Sequence, residues 1–222
     1  SHCNGQFKTN CDLGYFCSNG LQTACPEGTF GTTNDAISVN QCEHCSSGKY
    51  QAQEGKDACT GICSAGTYPR QTTKSKTEAE ACATCGLGAY CPGGADGTET
   101  MCNTGTYNDN NGQSSQSSCK SCGTGRFNNE TGASICQACS PGKYNDLTAQ
   151  SSASSCKDCD SGKYQARSGT DACTDTCEIG TYSRDIRGSA SQEEACLICP
   201  TGSYCTGGSK ILPKDDSFNP PE

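Results

Sequence analysis

The sequence predicts a small disulfide-rich fold, mostly irregular with short β-ribbons: an elongated tandem array of single-bridge cysteine loops with no single hydrophobic core. Three observations carry this expectation. The 222 residues include 23 cysteines, a share that marks disulfide scaffolds. Apart from cysteine, apolar residues make up only about a fifth of the chain, with no Trp and one Met, Met101. So little apolar surface cannot offset the conformational entropy of ordering an ordinary domain of this length. Finally, a motif of Cys, two residues, Gly, one residue, and Tyr or Phe returns eleven times, as in stacked small units.

The motif opens at Cys11, Cys25, Cys45, Cys63, Cys85, Cys102, Cys122, Cys139, Cys159, Cys177 and Cys199. Its glycine can take positive φ and turn the chain sharply. Two positions on, the ring lies on the same face as the glycine if the segment is extended. There it can cover the disulfide and supply most of the loop's buried apolar area. Eleven of the fourteen aromatic residues are spent this way, which reads them as miniature cores and not as a stacking surface.

Above the motif lies a longer period. Cys42, Cys45, Cys59, Cys63, Cys82, Cys85 and Cys91 recur 114 residues later as Cys156, Cys159, Cys173, Cys177, Cys196, Cys199 and Cys205. SGKYQA at Ser47 returns at Ser161. The predicted organisation is therefore 1–41 as the end of a preceding unit and 42–155 as a complete unit. Residues 156–209 start the next, and 210–222 form a Pro-containing tail or linker. Spacing alone leaves connectivity open. One scheme closes each motif cysteine on the next cysteine in sequence: Cys11–Cys17, Cys25–Cys42, Cys45–Cys59, Cys63–Cys82, Cys85–Cys91 and Cys102–Cys119. It continues with Cys122–Cys136, Cys139–Cys156, Cys159–Cys173, Cys177–Cys196 and Cys199–Cys205. Only Cys3 is left over, which reads as a bridge to a residue before Ser1, as an intermolecular bridge, or as a free thiol.

Between motifs, polar stretches such as Asn108 to Ser118 and Asp146 to Ser155 read as irregular connections or short ribbons. Thr73 to Ala81 and Ser189 to Ala195 carry some helical propensity, enough for a turn or two. From Lys210 onward the cysteines stop and Pro213, Pro220 and Pro221 mark a linker, a disordered tail or an extended arm.

Strings such as CPEGTF at Cys25, CSSGKY at Cys45 and CSAGTY at Cys63 resemble the ephrin-receptor-like cysteine-rich repeats of extracellular proteins. Each single-bridge loop also resembles the first submodule of tumour necrosis factor receptor repeats. CGLGAYC at Cys85 and CPTGSYC at Cys199 are similar to insertions in long protist surface proteins of this type. The resemblance implies architecture more than task, since such modules serve as receptor stalks, adhesion proteins and filament subunits. The six-cysteine modules with crossed bridges of death-ligand receptors are lacking, which argues against cytokine binding.

Other chemistry finds little footing. Six Cys-x-x-Cys pairs, at Cys42, Cys82, Cys119, Cys136, Cys156 and Cys196, suggest zinc in isolation. Zinc knuckles gather four ligands, often with His, and here His is limited to His2 and His44. A redox motif needs one strained pair on a thioredoxin-like frame. His44 has no Ser or Asp placed for a triad, and no phosphate loop or metalloprotease helix is present. Asn108, Asp109, Asn110, Asn111 and Gly112 form an oxygen-rich run without the bidentate Glu of a calcium loop, which favours a plain turn. Neither catalytic residues nor cofactors are expected. Asn129-Glu130-Thr131 is a glycosylation sequon in an expected exposed loop, and the runs Ser114–Ser118 and Ser151–Ser155 are candidate O-glycan sites.

So many bridges persist only in an oxidising compartment, which predicts a secreted or cell-surface protein. No stretch approaches the ~20 apolar residues of a membrane-spanning helix. The chain begins at Ser1 without a signal peptide, which reads as a mature or excised segment. A net charge of -8 argues against nucleic acid and anionic membranes as partners. The expected function is an extracellular structural protein, a repetitive stapled rod of a stalk, coat or filament. Its partner is then itself, head-to-tail or laterally. The alternative is a receptor or adhesion ectodomain that binds another extracellular protein through its repeats.

Overall fold

A computed structural model describes residues 11–208 and the backbone of Leu212–Pro213. His2, Cys3 and the rest of the 210–222 segment lie outside the described residues. The chain divides into two compact units, residues 1–101 with 109–118 and residues 102–108 with 119–222. Both are small disulfide-rich assemblies of short ribbons.

Each module starts from the same turn. The N–H after the motif glycine donates to the carbonyl after the motif cysteine, as Thr29 to Pro26 at 3.0 Å and Lys143 to Ser140 at 3.1 Å. The glycine is the third residue of that turn, and its φ lies between +74 and +89 at all eleven motifs. That conformation strains any residue with a Cβ. Where threonine follows, its hydroxyl reinforces the turn by donating to the same carbonyl: Thr29 to Pro26, Thr67 to Ser64, Thr106 to Asn103 and Thr181 to Glu178, at 2.6 to 2.8 Å.

The chain then runs extended through the ring and pairs with the residues just before the next motif cysteine. In the first unit Thr29–Phe30 pairs antiparallel with Glu43–His44, and Lys49–Tyr50 with Gly61–Ile62. In the second, Arg126–Phe127 pairs with Gln137–Ala138, and Lys143–Tyr144 with Lys157–Asp158. All sheets among the described residues are two-stranded. Ribbons this short are not stable alone in water, so the bridges and neighbouring modules must hold them.

The bridge spacing sets the content of each loop. Loops closed over 17 residues contain a single 3-10 turn, Val39–Gln41, Gln116–Ser118 or Ala153–Ser155, the first and last capped by Ser38 and Ser152. Loops closed over 19 residues contain one α-turn, Glu78–Ala81 or Gln192–Ala195, capped by Thr77 or Ser191. The two stretches with helical propensity therefore form one turn each. Six-residue loops leave no room for a return strand, so the partner comes after the bridge: Leu21–Ala24 for Tyr15–Ser18, and Thr100–Met101 for Ala89–Tyr90. Asn19 and Gly20 connect the first of these hairpins at φ 51 and 77, the pair favoured by a two-residue β-turn. Leu212–Pro213 plays the same part for Ser203–Tyr204, so part of the expected tail is strand.

The buried apolar residues are almost all cysteine and alanine. The rings correct the local reading of the motif. Tyr50 packs on the cluster of Cys63, Ala81 and Cys82, and Tyr68 on Cys85, Ala89 and Cys91. Phe127 joins Cys139 and Cys156, and Tyr164 packs on Cys177, Ala195 and Cys196. In every case the bridge is that of the following module. A ring two residues past the turn points along the array, so it fastens neighbours together instead of filling its own loop.

Candidate functional site

A seam of main-chain hydrogen bonds joins neighbouring modules. In the first unit, Cys45 N–H donates to Gly28 O at 3.0 Å and Gly28 N–H to Gln51 O at 2.8 Å. Gln51 N–H then donates to Ser75 O at 3.2 Å, and Lys74 N–H to Cys45 O at 2.9 Å. In the second unit the same four bonds are Cys139 to Gly125, Gly125 to Asn145, Asn145 to Thr170 and Gly169 to Cys139, at 2.7 to 3.1 Å. The seam thus consists of main-chain groups, which every residue but proline carries in full.

Glycine is required here for a second reason. A Cβ on Gly28 would stand 2.3 Å from Lys74 O, and one on Gly125 would stand 2.1 Å from Gly169 O. Each of these oxygens belongs to the module two along, so three consecutive modules meet at one glycine.

The residue after the ring was missed by sequence reasoning. Its backbone carries the central bonds of the seam, and its polar side chain is buried: Asn145 is 0% exposed, Asn128 1%, and Gln51 and Gln165 6%. Asn128 Nδ2 donates back to Thr106 O at 2.7 Å and to Glu130 O at 2.9 Å, while its Oδ1 accepts from Glu130 N–H. Asn145 Nδ2 reaches back to Arg126 O at 3.0 Å. Gln51 and Gln165 bond instead within their own loops, to Ala58 O and Ala172 O. The available signal was an Asn or Gln recurring directly after the ring in five modules, Gln51, Asn108, Asn128, Asn145 and Gln165.

Among the described residues the structure joins the cysteines in eleven bridges, each between a motif cysteine and the next cysteine in sequence. The members of a Cys-x-x-Cys pair belong to different bridges: Cys42 joins Cys25, and Cys45 joins Cys59. Cys85 and Cys91 lie with Glu99 in a compact trio, but both sulfurs are joined to each other and lack the thiolate charge of a metal ligand. Residues 109–112 of the oxygen-rich run belong to the first unit, where Gly112 N–H donates to Cys85 O at 2.8 Å, and Asn110 Nδ2 donates to Asp109 Oδ1. His44 is exposed on its ribbon opposite Thr29. Asn129 is exposed at the tip of the loop closed by Cys122 and Cys136. Ser115 with Ser117 and Ser152 with Ser154 bond hydroxyl to hydroxyl at exposed turns.

Two polar contacts perturb titration. The Ser64 hydroxyl and N–H both donate to Glu78 Oε1 and hold the Glu78 carboxyl below its ordinary value, tying the α-turn to the start of its own module. The Lys157 ammonium does the same for Asp146 at 2.7 Å, and its own pKa is raised by that carboxylate. Lys157 also sits 5.7 Å from the Tyr144 ring centre, within cation–π range.

An open groove of about 680 Å³ in the first unit is lined by residues including Tyr68, Arg70, Asp96 and Glu99. Two of its three charged residues serve the fold: Arg70 Nε donates to Cys82 O, and Glu99 Oε1 accepts from Gly86 N–H, both at 2.9 Å. The large exposed apolar side chains include Ile37, Ile179 and Ile198. Among the described residues no helix is long and apolar enough to cross a membrane. Eleven disulfides fit a protein of an oxidising, extracellular compartment. No protein-family model matches the chain, and no curated protein matches it.

Proposed function

We propose that this is an extracellular structural protein, a repetitive disulfide-stapled array that forms a stalk, coat or filament. The observation that carries the reading is the main-chain seam, which repeats with the same four bonds in both units. Modules joined in one uniform way extend an array in one dimension, and a head-to-tail contact between copies that does not close gives a filament. The resemblance to ephrin-receptor-like and tumour necrosis factor receptor-like repeats is part of this proposal and agrees with stalk-like use. The groove beside Tyr68 and Arg70 favours the alternative, a receptor or adhesion ectodomain with a protein ligand. Its Arg70 and Glu99 are held by the fold, so we rank that reading second.

Electron microscopy of the unreduced protein over a range of concentrations tests the choice. Ordered filaments or end-to-end polymers that grow with concentration are expected. Separate particles at every concentration would overturn self-assembly and send the search to a protein ligand.

A further inference from the structure

We infer that Asn129 is an acceptor for an N-linked oligosaccharide. The loop that carries it has two counterparts, also closed over 14 residues: Cys45–Cys59 and Cys159–Cys173. In these the ring is followed by Gln51-Ala52-Gln53 and Gln165-Ala166-Arg167, and here by Asn128-Asn129-Glu130. The first position is buried in all three. The second is exposed in all three and is alanine in both counterparts, so the fold does not ask for asparagine there.

The local geometry presents the sequon. Asn128 is buried and clasps Glu130 through both its N–H and its carbonyl, which fixes the turn. Asn129 and Thr131 stay exposed on either side of Glu130. Asn129 Oδ1 accepts from Gln137 Nε2 at 3.4 Å, while its Nδ2, the atom to be modified, has no protein partner among the described residues. By contrast, the variant sequon Asn40-Gln41-Cys42 has its third residue buried and joined to Cys25.

The donor class is an oligosaccharide on a polyprenyl diphosphate. Asn129 Nδ2 forms a bond to the anomeric carbon, and the bond from that carbon to the diphosphate oxygen breaks. Polyprenyl diphosphate leaves with the electron pair, and one Nδ2 proton passes to the transferase and solvent.

The test is to secrete the full chain from a eukaryotic host and measure its intact mass and its 122–136 peptide, before and after peptide N-glycosidase. The expected result is one glycan on that peptide, released with conversion of Asn129 to Asp. Asn129→Ala and Thr131→Glu install the residues of the Cys45–Cys59 loop, Ala52 and Glu54. Both should keep eleven bridges in a non-reducing peptide map and lose the glycan entirely. A wild-type peptide at its bare mass, or a glycan retained on Asn129→Ala, would overturn the assignment.

Discussion

At the scale of single residues, Glu78 gives a sharp expectation because the chain contains its own control. A carboxyl held below its ordinary value of 4.5 in the folded chain contributes stability that is full above that value. The contribution is lost as pH falls through the depressed one. Docking of the Glu78–Ala81 turn onto Ser64 should therefore loosen only in acid. In an NMR titration, the Ser64 amide shift should follow a midpoint below 4.5, and Glu78→Gln should abolish that midpoint. The equivalent pair in the second unit is Glu178 and Gln192, so the Glu178 amide should report no titration of position 192. A Ser64 midpoint at or above 4.5 would remove the hydrogen bond from the account. The motif glycines and rings were legible at this scale, since each recurs without exception. The buried Asn128 and Asn145 were not, because a polar residue beside a turn carries no sign of burial when its partners are carbonyls from another module.

At the scale of elements, the seam makes glycine serve two ends that mutation can separate. Gly125 and Gly180 share a positive φ, +74 and +88. A Cβ on Gly125 meets Gly169 O at 2.1 Å, whereas one on Gly180 meets nothing within 4 Å among the described residues. Gly180→Ala should then incur only the left-handed backbone strain, about 1–2 kcal/mol. Gly125→Ala should be worse, and specifically so at the seam, with loss of hydrogen-exchange protection at Cys139, Asn145 and Gly169. Equal protection in the two variants would mean that the three-module contact carries no weight. The ribbons and single helical turns were readable from spacing and caps such as Thr77 and Ser191. The destination of each ring was not, since periodicity fixes the face of a strand but not which neighbour lies against it.

At the scale of the whole molecule, stability rests on sulfur, and access to sulfur should order its loss. Cys17, Cys59, Cys119 and Cys199 are half-buried, whereas both members of the other seven bridges are buried. Since exchange needs the attacking thiolate to reach a sulfur atom, limited reduction followed by alkylation should open Cys11–Cys17, Cys45–Cys59, Cys102–Cys119 and Cys199–Cys205 first. Peptide mapping checks the order, and early labelling of Cys25 or Cys139 would contradict it. The covalent layout has a further consequence in mechanics. Two residues separate Cys42 from Cys45, Cys82 from Cys85, Cys119 from Cys122, Cys136 from Cys139, Cys156 from Cys159 and Cys196 from Cys199. A pull on the chain passes from bridge to bridge through these segments, through the three residues after Cys59 and after Cys173, and through the longer stretches 18–24 and 92–101, each spanning at most about 3.3–3.6 Å per residue. The loops themselves lie off the loaded path while their sulfurs stay joined. In oxidising surroundings the chain is then a tether whose reach is set by the segments between bridges, and a reductant releases its hidden length.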